Sequence, residues 1–159
     1  MGTIDEARFR TVLGHYATGV TVVTAIREHR PVGLSVNSFA SVSLDPPLVS
    51  FCVSKESSTW PTIRETGAFC VSVLAEDQEH LSRVFATSGA DKFAGVGWEP
   101  APSGAPVLAG SLAWIDCALD AEHDGGDHLI VVGRVRGLEV MRDSRPLIFY
   151  RGGYGHYEP

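Results

Sequence analysis

The chain is short of most features that announce a function on sight. It has three cysteines in 159 residues, and Cys52, Cys70 and Cys117 are widely spaced and set in apolar runs. An odd number at such spacing argues against a disulfide framework and predicts reduced, buried thiols in a cytoplasmic protein. No uninterrupted apolar stretch reaches the length of a bilayer span, so no membrane partner is expected. The opening MGTIDEARFR has no basic segment ahead of an apolar run, and Glu6 stands where a myristoylation signal needs Ser or Thr. Neither a secretory leader nor that lipid is therefore expected. Positive charge is also scarce, 13 Lys and Arg against 19 Asp and Glu. Those cations are scattered, and the one loose group, Arg134, Arg136, Arg142 and Arg145, reads as a solvated face. A nucleic-acid partner is excluded on both grounds.

Familiar catalytic signatures are missing as well. There is no G-x-S-x-G, no H-E-x-x-H and no phosphate-binding P-loop. Gly95-Val96-Gly97 is too short for a dinucleotide fingerprint and follows no strand. The thiols have no convincing local base, which weakens any covalent nucleophile. What remains describes a site that holds a cofactor rather than one that does acid–base chemistry itself.

With 44% hydrophobic and 20% charged residues, the chain can bury a core of its own. No repeat or composition break divides residues 1–159, so one domain is expected, with its core at about 9–154. Thr3 and Glu6 read as a capping box, followed by Phe9, Val12, Leu13 and Tyr16 at helical spacing and Gly19 as a stop. The β-branched run at 20–26 predicts a strand and 27–30 a hairpin turn. Further strands are expected at 32–36, 48–54 and 69–74. Helices are expected at 59–65, where Pro61 fits only the first turn, and at 76–85. A loop rich in Gly and Pro at 89–110 precedes two long strands, 112–122 and 128–141, and a short one at 147–150. Many strands and few helices predict a closed or nearly closed antiparallel β-barrel with helices outside; an open sandwich satisfies the same periodicity.

Three constellations carry candidate chemistry. Residues 35–47 interleave hydroxyl and amide side chains with apolar ones, and alternation puts Ser35, Asn37, Phe39 and Ser41 on one side of an extended backbone. That strand suits a flat heteroaromatic ligand, or is a polar edge strand before a Pro-Pro turn. Ser54, Lys55, Glu56, Ser57, Ser58 and Thr59 precede the helix at 59–65. Several hydroxyls and a lysine there suit a phosphate, although one serine would suffice as a helix cap. Asp120, Glu122, His123, Asp124, Asp127 and His128 crowd Gly125-Gly126. They include metal-ligand types, but charged residues at a hairpin tip are ordinarily solvated, so no metal is expected. His128 opens the apolar strand LIVVG, as a structural histidine or as one facing a cleft.

The order of segments then carries a resemblance. Residues 17–24 (ATGVTVVT), 33–39 (GLSVNSF), 41–48 (SVSLDPPL), Phe85-Ala86, Lys92-Phe93, Gly126-Asp127-His128 and Gly133-Arg134-Val135 follow one another as in the short-chain flavin reductases. The chain resembles that family, the reductase components of two-component flavin-dependent monooxygenases, over almost its whole length. The resemblance implies a mainly β, FMN-binding split β-barrel, antiparallel and Greek-key-like, with flanking helices and acting as a homodimer. It implies FMN or FAD along Ser35, Val36, Asn37, Ser38, Ala40, Ser41 and Val42, with the phosphate at Ser54, Lys55, Glu56, Ser57, Ser58 and Thr59. Phe85, Ala86 and Ser88 would flank the flavin's far end, and Lys92 would reach a phosphate. NADH would lie against His128, Arg151, Gly152, Gly153 and Tyr154, with His128 as the catalytic residue, a clamp on the nicotinamide and not an obligatory acid. The implied partner is a monooxygenase component that receives reduced flavin by diffusion. A flavin- or haem-binding carrier without turnover and a pyridoxamine-phosphate-oxidase-like enzyme share related barrels. The carrier has no need of His128 and residues 151–154, and the oxidase needs a second basic phosphate site that this sequence does not offer.

Overall fold

Val, Ile and Thr crowd the runs read as strands, and their stiff side chains favour pleated backbone. The computed structural model describes residues 2–89 and 91–159; Met1 and Ala90, the latter in the Gly- and Pro-rich loop, lie outside the described residues. In chain order these form α1 (Glu6–Leu13), β1 (Thr18–Gly19), β2 (Thr21–Arg27), β3 (Arg30–Val36), β4 (Ala40–Leu44), β5 (Pro47–Ser54), α2 (Trp60–Thr66) and β6 (Ala68–Val73). A 3-10 turn leads into α3 (Glu79–Ala86), then β7 (Trp98–Pro100), β8 (Pro106–Leu108), β9 (Ala113–Gly125), β10 (His128–Val140), β11 (Leu147–Tyr150) and β12 (Gly153–His156).

Seven strands make one antiparallel sheet in the order β3-β2-β6-β9-β10-β5-β4, which curls on itself but leaves β3 and β4 as unpaired edges. A smaller sheet, β1-β11-β12, stands beside it. The architecture is thus a split barrel, mainly β, rather than a fully closed one. Period-two alternation sends Val23, Ala25, Val49, Phe51, Val53, Phe69, Val71, Cys117 and Val131 to one interior, where Trp60 and Ile63 of α2 join them. Phe51 meets Trp60 and Phe69 edge-on, with ring centroids 5.6 and 5.2 Å away. The sheet's other face is covered by α3 with Leu81 and Phe85 against Val22 and Leu74, and by the β7–β8 hairpin over Cys70. That hairpin is pinned by the buried Asp116, which accepts from the Ser103 amide at 2.9 Å and its hydroxyl at 2.7 Å.

Several local expectations shift. Asp5, not Thr3, caps α1, its carboxylate accepting from the Arg8 amide at 2.7 Å, and the helix ends at Gly14, well before Gly19. A carboxylate satisfies the same orphan amide and also favours the positive end of the helix. The run at 35–41 is not one strand: β3 ends at Val36, Asn37 bends the chain, and β4 begins only at Ala40, so alternation does not carry across it. The loop at 89–110 contains the β7–β8 hairpin, too short for periodicity to register. The turn at 27–30 forms as read, with Glu28 and His29 both at positive φ, 49 and 66°. Cys70 and Cys117 are buried, and burial pushes the Cys117 thiol up to about 12 and Cys70 higher still. Cys52 is only half-buried.

Gly133 shows how tightly the interior is packed. It sits at a register shift between β9 and β10, and a Cβ there would stand 2.6 Å from the Phe69 ring and 3.2 Å from the Cys117 Cβ. Gly133→Ala is therefore expected to destabilise the fold by about 1–3 kcal/mol through overpacking, read as a lower urea midpoint with unchanged m-value. An unaltered midpoint would show that the interior has room to yield.

Candidate functional site

A cavity of about 460 Å³ opens where β3 ends, β5 ends and α3 ends, a size within the range of roughly 300–1,000 Å³ usual for small-molecule sites. Leu34, Val36, Val53 and Phe85 give it apolar walls, and Ser, Thr and Asn side chains give it donors and acceptors. Ser35, Val36, Asn37 and Ser38 come from β3 and the bend after it. Ser54, Glu56, Ser57, Ser58 and Thr59 come from the segment joining β5 to α2. Phe85, Ala86, Ser88 and Lys92 close the third side, and His128 stands at the rim.

The hydroxyls differ in what they already do. Ser57 accepts from the amide of Trp60, the first residue of α2, at 3.2 Å, whereas the Ser58 and Thr59 hydroxyls have no protein partner among the described residues. Ser38 is committed: it accepts from the Cys52 amide at 2.8 Å and thereby pins the bend to β5. Ser35 bonds Ser82 at 3.2 Å, which in turn bonds the Tyr154 hydroxyl at 2.7 Å. Lys92 donates to the Gly33 and Phe85 carbonyls at 3.1 and 3.3 Å and has one donor to spare. Burial holds its ammonium below the usual lysine range. A flat, polar-edged group with one anionic end fits this donor set: apolar faces for a ring system, free neutral hydroxyls and a half-buried cation for the anion.

A second cleft of about 1100 Å³ shares Asn37, Ser38, Cys52 and His128 with the first. Phe9 and Leu13 of α1 line it, with Tyr16 just beyond that helix, Thr18, Phe39, Ala40 and Arg151. The Thr18 hydroxyl is buried there without a partner. His128 lies across from Ser54 on β5, its side chain 47% exposed, and its Nδ1 is 2.7 Å from the Asp127 carboxylate. That contact holds Asp127 below the usual carboxylate range.

Not every expected residue reaches a cleft. Ser41 and Val42 lie on β4 away from both, and Lys55 pairs with Asp124. Gly152, Gly153 and Tyr154 line neither; the Tyr154 ring instead meets Phe149 edge-on and lies under Arg83. Conversely, Leu34, Cys52, Val53 and Thr87 line the first cavity without having been singled out. Thr87 lies between Ala86 and Ser88 and follows by interpolation; Cys52 carries no signal beyond standing two residues before Ser54.

The acidic hairpin tip resolves into pairs. Glu122 accepts from Arg64 Nε at 2.6 Å and from the Trp60 indole at 3.2 Å, Asp124 pairs with Lys55, and Asp120 is 3.7 Å from Arg134.

Comparison with known proteins agrees with this geometry. Residues 13–158 match the family model described as flavin reductase like domain. The reductase subunit HsaB of a flavin-dependent monooxygenase from Rhodococcus jostii is 53% identical over 156 residues, 98% of this chain and 80% of that protein. A crystal structure of nitrilotriacetate monooxygenase component B from Mycobacterium thermoresistibile superposes with a TM-score of 0.95 at 50% identity, covering 98% of this chain and 88% of the other. A Streptomyces globisporus NADH:FAD oxidoreductase, solved with NAD and FAD fragments, gives 0.92 at 37% identity over 100% and 98% of the two chains.

Proposed function

The chain belongs to the flavin reductase-like domain family, and on that premise we propose that it is an NADH-dependent flavin reductase supplying reduced FMN or FAD to a partner flavin-dependent monooxygenase. The observation that carries this reading is the meeting of two clefts at His128, one shaped for a ring with an anionic end and one beside it for a second substrate. The family match across residues 13–158 supports a single functional domain.

Hydride transfer from the nicotinamide C4 to a flavin is chemistry that the cofactor itself brings, so the chain's task is placement. Ser35 to Ser38 line the ring, their neighbouring backbone amides facing the polar edge. Ser57, Ser58 and Thr59, with Lys92 on the opposite wall, receive the phosphate through mostly neutral donors. Ala40 extends the ring's surroundings into the second cleft, and Lys55 and Glu56 shape the phosphate segment. His128 and Arg151 hold the nicotinamide nucleotide, while Tyr154 supports β12 and, through Ser82, the position of Ser35. No proton transfer by a side chain is required for the hydride step.

The apolar face of α1 supports self-association. Phe9, Val12 and Leu13 of that helix and Tyr16 just beyond it are all exposed, and no residue of α1 is buried. A helix with such a face needs a partner, and a second copy of the chain covering it would wall in the large cleft. The homodimer belongs to this proposal, as does a cytoplasmic setting, which the three free cysteines favour. No described helix is long and apolar enough to cross a membrane.

Three measurements follow. Purified protein should oxidise NADH, followed by the loss of nicotinamide absorbance, only when FMN or FAD is added; turnover by colourless protein alone, or none with either flavin, would refute the assignment. Ser57→Ala with Ser58→Ala should weaken flavin binding by about 1–3 kcal/mol while leaving kcat at saturating flavin nearly unchanged. Because Ser57 also receives the Trp60 amide at the start of α2, a fall in melting temperature with unchanged flavin affinity would reduce the pair to a structural role. His128→Ala should raise the KM for NADH several-fold, a loss of about 1 kcal/mol for one contact, with flavin affinity near that of the parent. Unchanged NADH kinetics, or weakened flavin binding with KM for NADH unaltered, would remove His128 from the nucleotide site.

A further inference from the structure

The segment from Ser54 to Thr59 leaves one end of the sheet and has to present its hydroxyls to the cavity at a fixed height. Its own hydrogen bonds are few: the Ser57 amide donates to the Ser54 carbonyl at 3.1 Å, the Glu56 amide to the Ser54 hydroxyl at 3.1 Å, and the Trp60 amide to the Ser57 hydroxyl. Those bonds shape the turn but do not fix it to the barrel. The fixing comes from elsewhere, and both ends go to one place. At the first end the Lys55 amide donates to the Asp127 carbonyl at 3.0 Å, and the Lys55 ammonium pairs with Asp124. At the other, Glu122 accepts from Trp60 Nε1 and Arg64 Nε through a single carboxylate oxygen.

We propose that Glu122 is a positioning residue for flavin-phosphate binding: with the rest of the β9–β10 tip it clamps the Ser54–Thr59 segment at both ends and so sets the hydroxyls that receive the phosphate. The inference rests on the flavin reading of the cavity. Glu122 itself lines neither cleft, so it acts through Trp60 and Arg64. Its side chain is 21% exposed, and Trp60 is fully buried against Phe51 and Phe69. The indole ring is therefore held by packing, while its N–H needs an acceptor in a largely desolvated place. Arg64, one turn further along α2, shares that acceptor and fixes the rotation of the helix whose first residue is Trp60. Among the acids at the hairpin tip Glu122 is thus set apart, since Asp124 and Asp127 are largely exposed.

Electrostatics makes the inference sharply testable, because it predicts the opposite sign. Removing a carboxylate near an anion site raises the local potential and should by itself tighten FMN binding. A lost clamp should weaken it. Glu122→Gln removes the charge but keeps an acceptor, Glu122→Asp keeps the charge but shortens the reach, and Glu122→Ala removes both. Dissociation constants for FMN and for riboflavin, which lacks the phosphate, are read for each variant by flavin fluorescence, with melting temperature alongside. The parent should prefer FMN to riboflavin. That preference should shrink by about three- to tenfold in the Ala and Asp variants and by less in Gln, with riboflavin affinity and KM for NADH within about twofold of the parent. If the parent binds neither flavin, the reductase reading itself fails. If it binds both equally, the phosphate assignment fails. If the parent discriminates but the folded variants keep its ratio, or bind FMN more tightly, the clamp is overturned. Should Glu122→Ala not fold, the Asp and Gln pair decides the question alone. Parallel loss of FMN and riboflavin affinity in step with melting temperature would assign Glu122 a structural role only.

Discussion

Trp60 has to satisfy two environments at once, and the site hangs on that. Its ring fills the barrel interior between Phe51 and Phe69, where no water competes. Its backbone amide and indole N–H both point to groups outside that interior, the Ser57 hydroxyl and the Glu122 carboxylate. An aromatic residue with a polar edge suits such a boundary, because the apolar body anchors while the N–H orients. Since Trp60 immediately follows the hydroxyl segment, the packing of the core is transmitted to the cavity wall within one residue. Phe85 plays a comparable part on the opposite wall, buried under Phe93 with its carbonyl receiving Lys92.

The same design explains why a cofactor could be held without being trapped. The proposed phosphate contacts are neutral hydroxyls, and the nearby ammonium of Lys92 already serves two backbone carbonyls. Neutral hydrogen bonds contribute about 1 kcal/mol each, roughly half of what a charge-assisted pair does. A reductase whose product must leave for another enzyme is better served by such partners than by a bidentate arginine. The free hydroxyls of Ser58 and Thr59 are oriented by the segment's attachments instead of by strong charge.

Much of this was legible in the order of residues. The β-branched runs, the position of Pro61 in the first turn of α2 and the two long strands around Gly125-Gly126 follow local rules and form nearly as expected. The choice of residues 35–38, 54, 56–59, 85, 86, 88, 92 and 128, which line one cavity, came from the family resemblance, not from periodicity, since the residues come from separate elements. Local patterns were misleading where two solutions compete for one orphan group, as with Asp5 and Thr3 at the first helix. They were silent where pairing partners are distant: β1 and β12 are short strands defined only by β11 between them. The pairing of Glu122 with Trp60 and Arg64 spans about sixty positions and has no local signature at all.

The wall shared by the two clefts has a thermodynamic meaning. Asn37, Ser38, Cys52 and His128 face both spaces, so whatever occupies one becomes part of the surface seen by the other. Any factor by which one ligand changes the affinity of the other, in either direction, must be matched by the same factor the other way. The wall itself is the connection between the two spaces, and no moving lid is needed to make one.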